Sequence, residues 1–416
     1  MLISFTFSNY LSFFKTNKMS MIASKDKELK DFNVISTEFG DLLKNTIIFG
    51  ANSSGKTNVL KMLKQMKKIV LSDPANQSYL LKNRNYFALS EAAMNTPTVF
   101  EVEFLFEGVM YQYGFEILHD EVIKEYFYKK NKRKYCLFMR SGKDCKCIEF
   151  PNKEMDNVKS FSQHTRPDNL FMYWAIWGNN PNAKILADWF SNLKVYSADD
   201  STGLLSSTIQ YLEGNKQGVK KVLKFLRQAD DTINSFDIIT DVENQFEKSK
   251  LSKSITLKMN RTLLDNNSHP IREIAFEHDS NSAGTNKLFE IAGPIIESLE
   301  NGHVVLIDEI DSHLHPLLVK NIIAMFNSIH NNPKNAQLIC NTHNALLLEE
   351  NIRRDQIYFT EKDDFGVSTL YSLSDFKGIR KVDKLMKKYL IGIFGATPEI
   401  DEIFVINNQE LSSASK

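Results

Sequence analysis

The stretch Gly50-Ala51-Asn52-Ser53-Ser54-Gly55-Lys56-Thr57 constrains this chain more than any other. An apolar run, Thr46-Ile47-Ile48-Phe49, leads into it. After it, Val59, Leu60, Leu63, Met66, Ile69 and Val70 recur at helical spacing, with lysines on the opposite face. Strand, glycine-bearing loop and helix in that order make a phosphate cradle. The glycines let successive backbone N–H groups face one polyphosphate, and the helix N-terminus adds a favourable dipole. Lys56 then reaches the β- and γ-phosphates, the Thr57 hydroxyl can ligate Mg2+, and Asn58 closes the set of loop residues. The bland alternative, a glycine turn that happens to precede a lysine, does not explain the strand and the amphipathic helix on either side.

Such a loop needs a carboxylate across the sheet. Val304 to Ile307 form a short apolar run that ends in Asp308-Glu309. Two adjacent carboxylates at the end of a buried strand are costly unless a cation or a proton relieves them. Asp308 is placed to support Mg2+ and Glu309 to polarise an attacking water. A third apolar run, in "QLICNTH", delivers His343 to the same kind of position, where ligands bind in open α/β sheets. A structural histidine is the other reading. His313 and His315 have H-x-H spacing but no clear third metal ligand, which favours a loop role at a subunit interface.

At 416 residues and 42% hydrophobic, the chain can bury two or three domains, or one large domain with an insertion. Lys+Arg and Asp+Glu are both 51, so net charge gives no argument for nucleic acid. Four cysteines make no disulfide framework and read as thiols of a reducing compartment. The longest apolar runs fall short of a membrane span, and "MLISFTFSNYLSFF" alternates like a strand instead of resembling a signal peptide. The sequence thus predicts a cytoplasmic chain with no membrane segment.

Alternation over 98–150 predicts an antiparallel meander, and 155–193 reads as helical, with Trp174, Trp177 and Trp189 packed inside. The implied division is an N-terminal lobe over 1–150, a helical insertion over 151–235, a C-terminal lobe over 236–406, and a disordered tail over 407–416.

Ser282-Ala283-Gly284-Thr285 stands about 20 residues before the carboxylate run. Alone it reads as a helix cap. In the order phosphate loop, Ser-x-Gly-polar helix start, apolar-Asp-Glu, histidine, the chain resembles the ABC/SMC class of ATPases. Within that class it is similar to compact AAA-type ATPases of bacterial defence loci, relatives of the ATPase part of the overcoming-lysogenisation-defect nucleases. "FTFSNYLSF", "FLRQADDTI" and "YLIGIFGATPEI" look like further family segments. The resemblance implies an α/β fold of P-loop, ABC-ATPase type: a mixed sheet, an antiparallel β subdomain and an inserted helical subdomain. It implies ATP and Mg2+ as cofactors and Walker A and B roles for the loop and for Asp308-Glu309. It also implies a homodimer or higher homo-oligomer in which Ser282 to Thr285 contact the γ-phosphate held by the other copy. Ala283 and Thr285 depart from the transporter Ser-Gly-Gly-Gln, His315 falls where many relatives carry a D-loop aspartate, and no Q-loop glutamine is assigned, Gln163 being a candidate. No cluster of carboxylates of the TOPRIM kind follows, which implies that any nuclease or toxin is a separate effector.

From Lys124 to Lys146 there are nine Lys or Arg against two acidic residues. Lys129, Lys130, Lys132, Arg133 and Lys134, interleaved with tyrosines, could track a nucleic-acid backbone or could guard an exposed sheet edge. Two further functions therefore stay beside the regulatory ATPase. One is a DNA-repair or chromosome-associated ATPase, marked by salt-sensitive DNA binding. The other is an assembly scaffold that holds ATP with little turnover.

Overall fold

The apolar run before the phosphate loop becomes the strand Asn45–Gly50, and both of its neighbours come from the far end of the chain. The computed structural model describes residues 1–142, 148–198, 202–242, 253–349, 351–379 and 384–398. The expected tail over 407–416 lies outside them.

Six strands form the central sheet, in the order Lys194–Tyr196, Val304–Ile307, Gln337–Asn341, Asn45–Gly50, Ile357–Lys362 and Ser368–Ser372. The first five are parallel and the last turns back as a hairpin. In register, Ile307 pairs with Cys340, Asn341 with Ile48, and Thr360 with Gly50. The carboxyl ends of these strands are therefore level along one edge, the edge that binds ligands in sheets of this kind.

Because side chains alternate across a strand, this sheet separates two cores. Ile48, Leu306 and Ile339 face one core, shared with the helix Lys56–Leu71 and with a seven-stranded antiparallel sheet. Ile47, Phe49, Val305, Ile307, Leu338 and Cys340 face the other, shared with the helices Gly203–Leu212, Lys216–Leu226, Ala283–Asn301 and Pro316–Asn327. Tyr389 braces this second side, its ring edge-on to Phe49 at 6.1 Å.

The antiparallel sheet is the expected meander, Thr98–Phe106 through Ile148–Glu149, joined at its other side by Leu2–Ser8 and Asn17–Ser20. A three-stranded sheet, Ile233–Val242, Lys253–Leu264 and Pro270–Glu277, stands apart from both. Together these make the α/β class with mixed and antiparallel sheets that the sequence predicts.

Over 155–193 the structure is a 3-10 segment, Lys153–His164, and two helices, Phe171–Trp177 and Pro181–Asn192. These pack on the first core, whereas the helices of 203–226 pack on the second, so the helices of 151–235 are shared between both cores. Trp189 is buried, but Trp177 is 61% exposed, against the expectation. The short helix buries Phe171, Met172 and Ala175, and that stripe leaves position 177 on the opposite side.

Arg140 also departs from its sequence reading. It was counted in the basic stretch, yet it is fully buried, with its Nη1 3.7 Å from Glu125 Oε2 and 2.6 Å from the Asn169 carbonyl. Glu125 in turn accepts from the N–H groups of Phe171 and Met172 and from the Tyr113 hydroxyl. Breaking such a pair strands a buried charge, so Glu125→Ala should cost roughly 3–5 kcal/mol, read by denaturant unfolding. An unchanged midpoint would show that the pair carries no stability.

Candidate nucleotide site

The loop between Gly50 and Lys56 turns sharply, with Ser53 at φ 61° and Gly55 at φ 113°. A Cβ at Gly55 would stand 2.7 Å from Ser368 Oγ, so only glycine fits there. Gly55 is the N-cap of the helix Lys56–Leu71, no side chain caps it, and the first turn holds no acidic residue. The helix start therefore presents amide donors and its positive dipole end to whatever enters the loop.

Lys56 is 5% exposed, and its Nζ donates to the carbonyls of Gly50 at 2.8 Å and Ala51 at 2.9 Å. Burial lowers its pKa to about 8, against the pull of Glu309, Asp308 and Asp311. Beside it, Thr57 Oγ1 donates to Asp308 Oδ1 at 3.0 Å. This joins the loop to the carboxylate strand across the intervening strand. Asp308 is 2% exposed, and its Oδ2 accepts from the Ala198 N–H at 3.0 Å.

Four hydrogen bonds stitch the turn after Asp308 to the turn before His343. Asn341 Nδ2 donates to Asp308 Oδ1, and Asn341 Oδ1 accepts from the Glu309 N–H. The Ile310 N–H reaches the Asn341 carbonyl, and the His343 N–H reaches Asp311 Oδ2 at 3.2 Å. Glu309 itself is held at φ 47°. A left-handed glutamate is strained, and such strain persists only where surrounding contacts fix it. The result is a cleft of about 570 Å³ lined by Asn52, Ser53, Lys56, Thr57, Glu309, His343 and Lys362, a size suited to a small-molecule ligand. The His343 imidazole has a lowered pKa, from burial first and then from the Lys56 charge, partly offset by Asp311 and Glu309.

Asn341, Asp311 and Lys362 were not singled out in the sequence. Asn341 carried a signal, being a polar residue at the end of an apolar strand, where burial demands partners. Lys362 carried none, because only the strand order brings it to the cleft. Ser54, Gly55 and Asn58 line the same cleft, and the side chains of Ser54 and Asn58 are tied back into the fold. Ser54 Oγ bonds to Thr360 Oγ1 at 2.7 Å, and Asn58 Nδ2 donates to Ser12 Oγ at 2.7 Å.

Ser282, Ala283, Gly284 and Thr285 do not line the cleft of their own chain. Ser282 caps the helix Ala283–Asn301, its Oγ accepting from the Thr285 N–H at 3.1 Å. Ser282 and Ala283 are exposed, while Thr285 is buried. A Cβ at Gly284 would lie 2.8 Å from the His313 carbonyl, so this helix start rests directly on the turn that follows the carboxylates. His315 is a cap as well, its Nδ1 accepting from the Leu317 N–H at 3.2 Å. Among the described residues no three His, Cys, Asp or Glu side chains gather as a metal cluster. Gln163 is exposed on the 3-10 segment and does not reach the cleft.

Much of the basic stretch is engaged. Lys129 pairs with Glu154 at 2.8 Å, Lys134 bonds to Gln112 and lies 4.7 Å from the Tyr128 ring centroid, and Lys130 lies over Phe39. Lys132 and Arg133 are exposed at the hairpin turn. Lys143 and Lys146 lie outside the described residues.

A parallel sheet whose inner strand feeds an uncapped glycine loop, with a carboxylate pair two strands away, defines the P-loop nucleotide-binding class. A family profile described as "AAA domain, putative AbiEii toxin, Type IV TA system" matches residues 46–349, and the chain belongs to that family. Over 101 residues the chain is 32% identical to Septu protein PtuA of Bacillus mycoides (strain KBAB4). That alignment spans 24% of this chain and 14% of the relative. Among solved structures, the chain is similar to an SMC head bound to the C-winged helix domain of ScpA. The identity there is 14% and the TM-score 0.43, with 89% of this chain and 97% of that one covered. No helix among the described residues is long and apolar enough to cross a membrane.

Proposed function

We propose that this chain binds and hydrolyses ATP and closes as a homodimer around it, as the regulatory ATPase of an anti-phage system whose effector is a separate protein. The observation that carries the ATPase reading is the convergence of Lys56, Thr57, Asp308, Glu309 and His343 on one cleft. The loop amides and Lys56 hold the phosphates, and Glu309 accepts a proton from the attacking water. His343 donates to the γ-phosphate. Work of this kind is mostly positioning and charge stabilisation.

Thr57 and Asp308 offer a hydroxyl and a carboxylate, the hard oxygen donors that Mg2+ prefers. They would hold the ion, which supplies charge neutralisation along the phosphates. The dimer reading is supported by the position of Ser282 and Gly284. They form an exposed helix start with anion-binding groups, outside the cleft of their own chain and next to its carboxylate turn. A second copy would bring that helix start to the γ-phosphate. The defence role is supported by the family, whose description names a toxin of a type IV system, and by the stretch shared with the Septu protein.

Purified chain with ATP and Mg2+ should release phosphate steadily and shift from monomer to dimer in light scattering, without cutting DNA. Absent turnover would favour the scaffold reading, and DNA cleavage by this chain alone would sink the separate effector.

A further inference from the structure

The chain leaves the central sheet at Lys362 and rejoins it at Ser368; the first end borders the cleft and the second is bonded to the phosphate loop. Lys362 lines the cleft. Ser368 Oγ donates to the Ser54 carbonyl at 2.7 Å and lies 2.8 Å from Ser12 Oγ. The five residues Asp363 to Val367 are therefore the hairpin turn at the carboxyl end of Ile357–Lys362, immediately after a residue that lines the cleft. At their tip Phe365 is 79% exposed.

A single exposed phenylalanine on a loop is ordinary. This one is distinguished by how firmly it is held. Asp363 Oδ1 accepts from the N–H groups of Phe365 at 3.0 Å and Val367 at 2.8 Å. Backbone bonds close the same turn, from the Gly366 N–H to the Asp363 carbonyl at 2.9 Å and from the Asp363 N–H to the Val367 carbonyl at 3.0 Å. Gly366, at φ 77°, rests on Leu89, whose Cδ1 would be 2.6 Å from a Cβ there. Leu89 is itself 71% exposed, so two apolar side chains stand open to solvent at this turn. A tied turn has little freedom left to lose when a ligand covers it, which favours binding. The cleft below is polar and suits phosphates, but it offers no face for a base.

We propose that Phe365 stacks on the nucleobase of the nucleotide whose phosphates lie in the loop, with Leu89 as the apolar floor of that subsite. The ligand class is a nucleoside triphosphate, and the inference rests on the nucleotide reading above. Every base has a π-face, so the contact is tolerant: ATP and GTP gain from it alike. It selects nucleotides over bare polyphosphate.

The test compares ATP with inorganic tripolyphosphate, each titrated with Mg2+ into the full chain by calorimetry at fixed salt. Phe365→Ala should weaken ATP by roughly 5- to 100-fold, the usual loss for one base–aromatic stack. Tripolyphosphate affinity should stay at the wild-type value, and Phe365→Trp should restore ATP. Unchanged ATP affinity in Phe365→Ala overturns the proposal, as does an equal loss for tripolyphosphate or a failure of tryptophan to rescue. Unchanged ATP affinity with a weakened dimer would make Phe365 a protein contact instead. If wild type bound neither ligand, the nucleotide reading itself would fall, a result distinct from all of these.

Discussion

Lys56→Ala should abolish measurable ATP binding while leaving the empty protein as stable as wild type. The first half follows from charge: removing a cation from a phosphate site loses roughly 2–5 kcal/mol or more, on the order of 30- to 5,000-fold in affinity. The second half follows from burial. Lys56 is nearly enclosed, and its lowered pKa records that the fold holds this cation at a cost. Alanine removes that cost along with two hydrogen bonds to loop carbonyls. In a thermal melt, ATP at a hundred times its dissociation constant stabilises wild type by about 2.7 kcal/mol through linkage alone. The variant should show no such shift and an unchanged ligand-free midpoint. A retained ATP shift would remove Lys56 from the site.

Glu309→Gln should separate binding from turnover. Glutamine keeps the shape and the backbone bond from residue 309 to Asn341 but cannot take a proton from water. Losing a general base lowers turnover by about 10²- to 10⁴-fold. ATP would still be held, so the dimer should accumulate and persist at micromolar concentration. Light scattering of the variant with ATP is the decisive measurement. A monomer under those conditions, without partner or DNA, defeats the sandwich. Phosphate release at the wild-type rate would assign the base elsewhere.

The parts of the site that could be read from the sequence are those where chemistry and neighbouring residues coincide along the chain. Gly50 to Thr57 are contiguous, and strand and helix flank them, so local pattern suffices. Asp308 and Glu309 announce themselves as charges at the end of an apolar run. The stitching by Asn341 and Asp311 was hidden, because it depends on the strands of Asp308 and His343 being adjacent and in register. The internal partners of the basic stretch were hidden for a related reason. Lys129 pairs with Glu154, and Arg140, beside Glu125 on the facing strand, also reaches the carbonyls of residues 166 and 169, so part of each set of partners comes from beyond the hairpin itself. Ser282 shows the reverse case. Its Oγ is engaged within one chain, accepting from the Thr285 N–H and bonding to the Thr285 hydroxyl, so local geometry shows the cap and leaves the contact with a second copy to the order of motifs.

The order of strands in the central sheet also bears on how the protein comes into being. Asn45–Gly50 is paired on one side by Gln337–Asn341 and on the other by Ile357–Lys362. Both partners leave the ribosome about 300 residues later. Until then Ile47, Ile48 and Phe49 have no sheet to join, and an apolar strand with two open edges is a template for wrong pairings. Synthesis at about 5–20 residues per second makes that interval tens of seconds. The phosphate loop, the earliest part of the site to be made, is thus among the last to be shaped, and a nascent chain stalled before 337 can hold no nucleotide there.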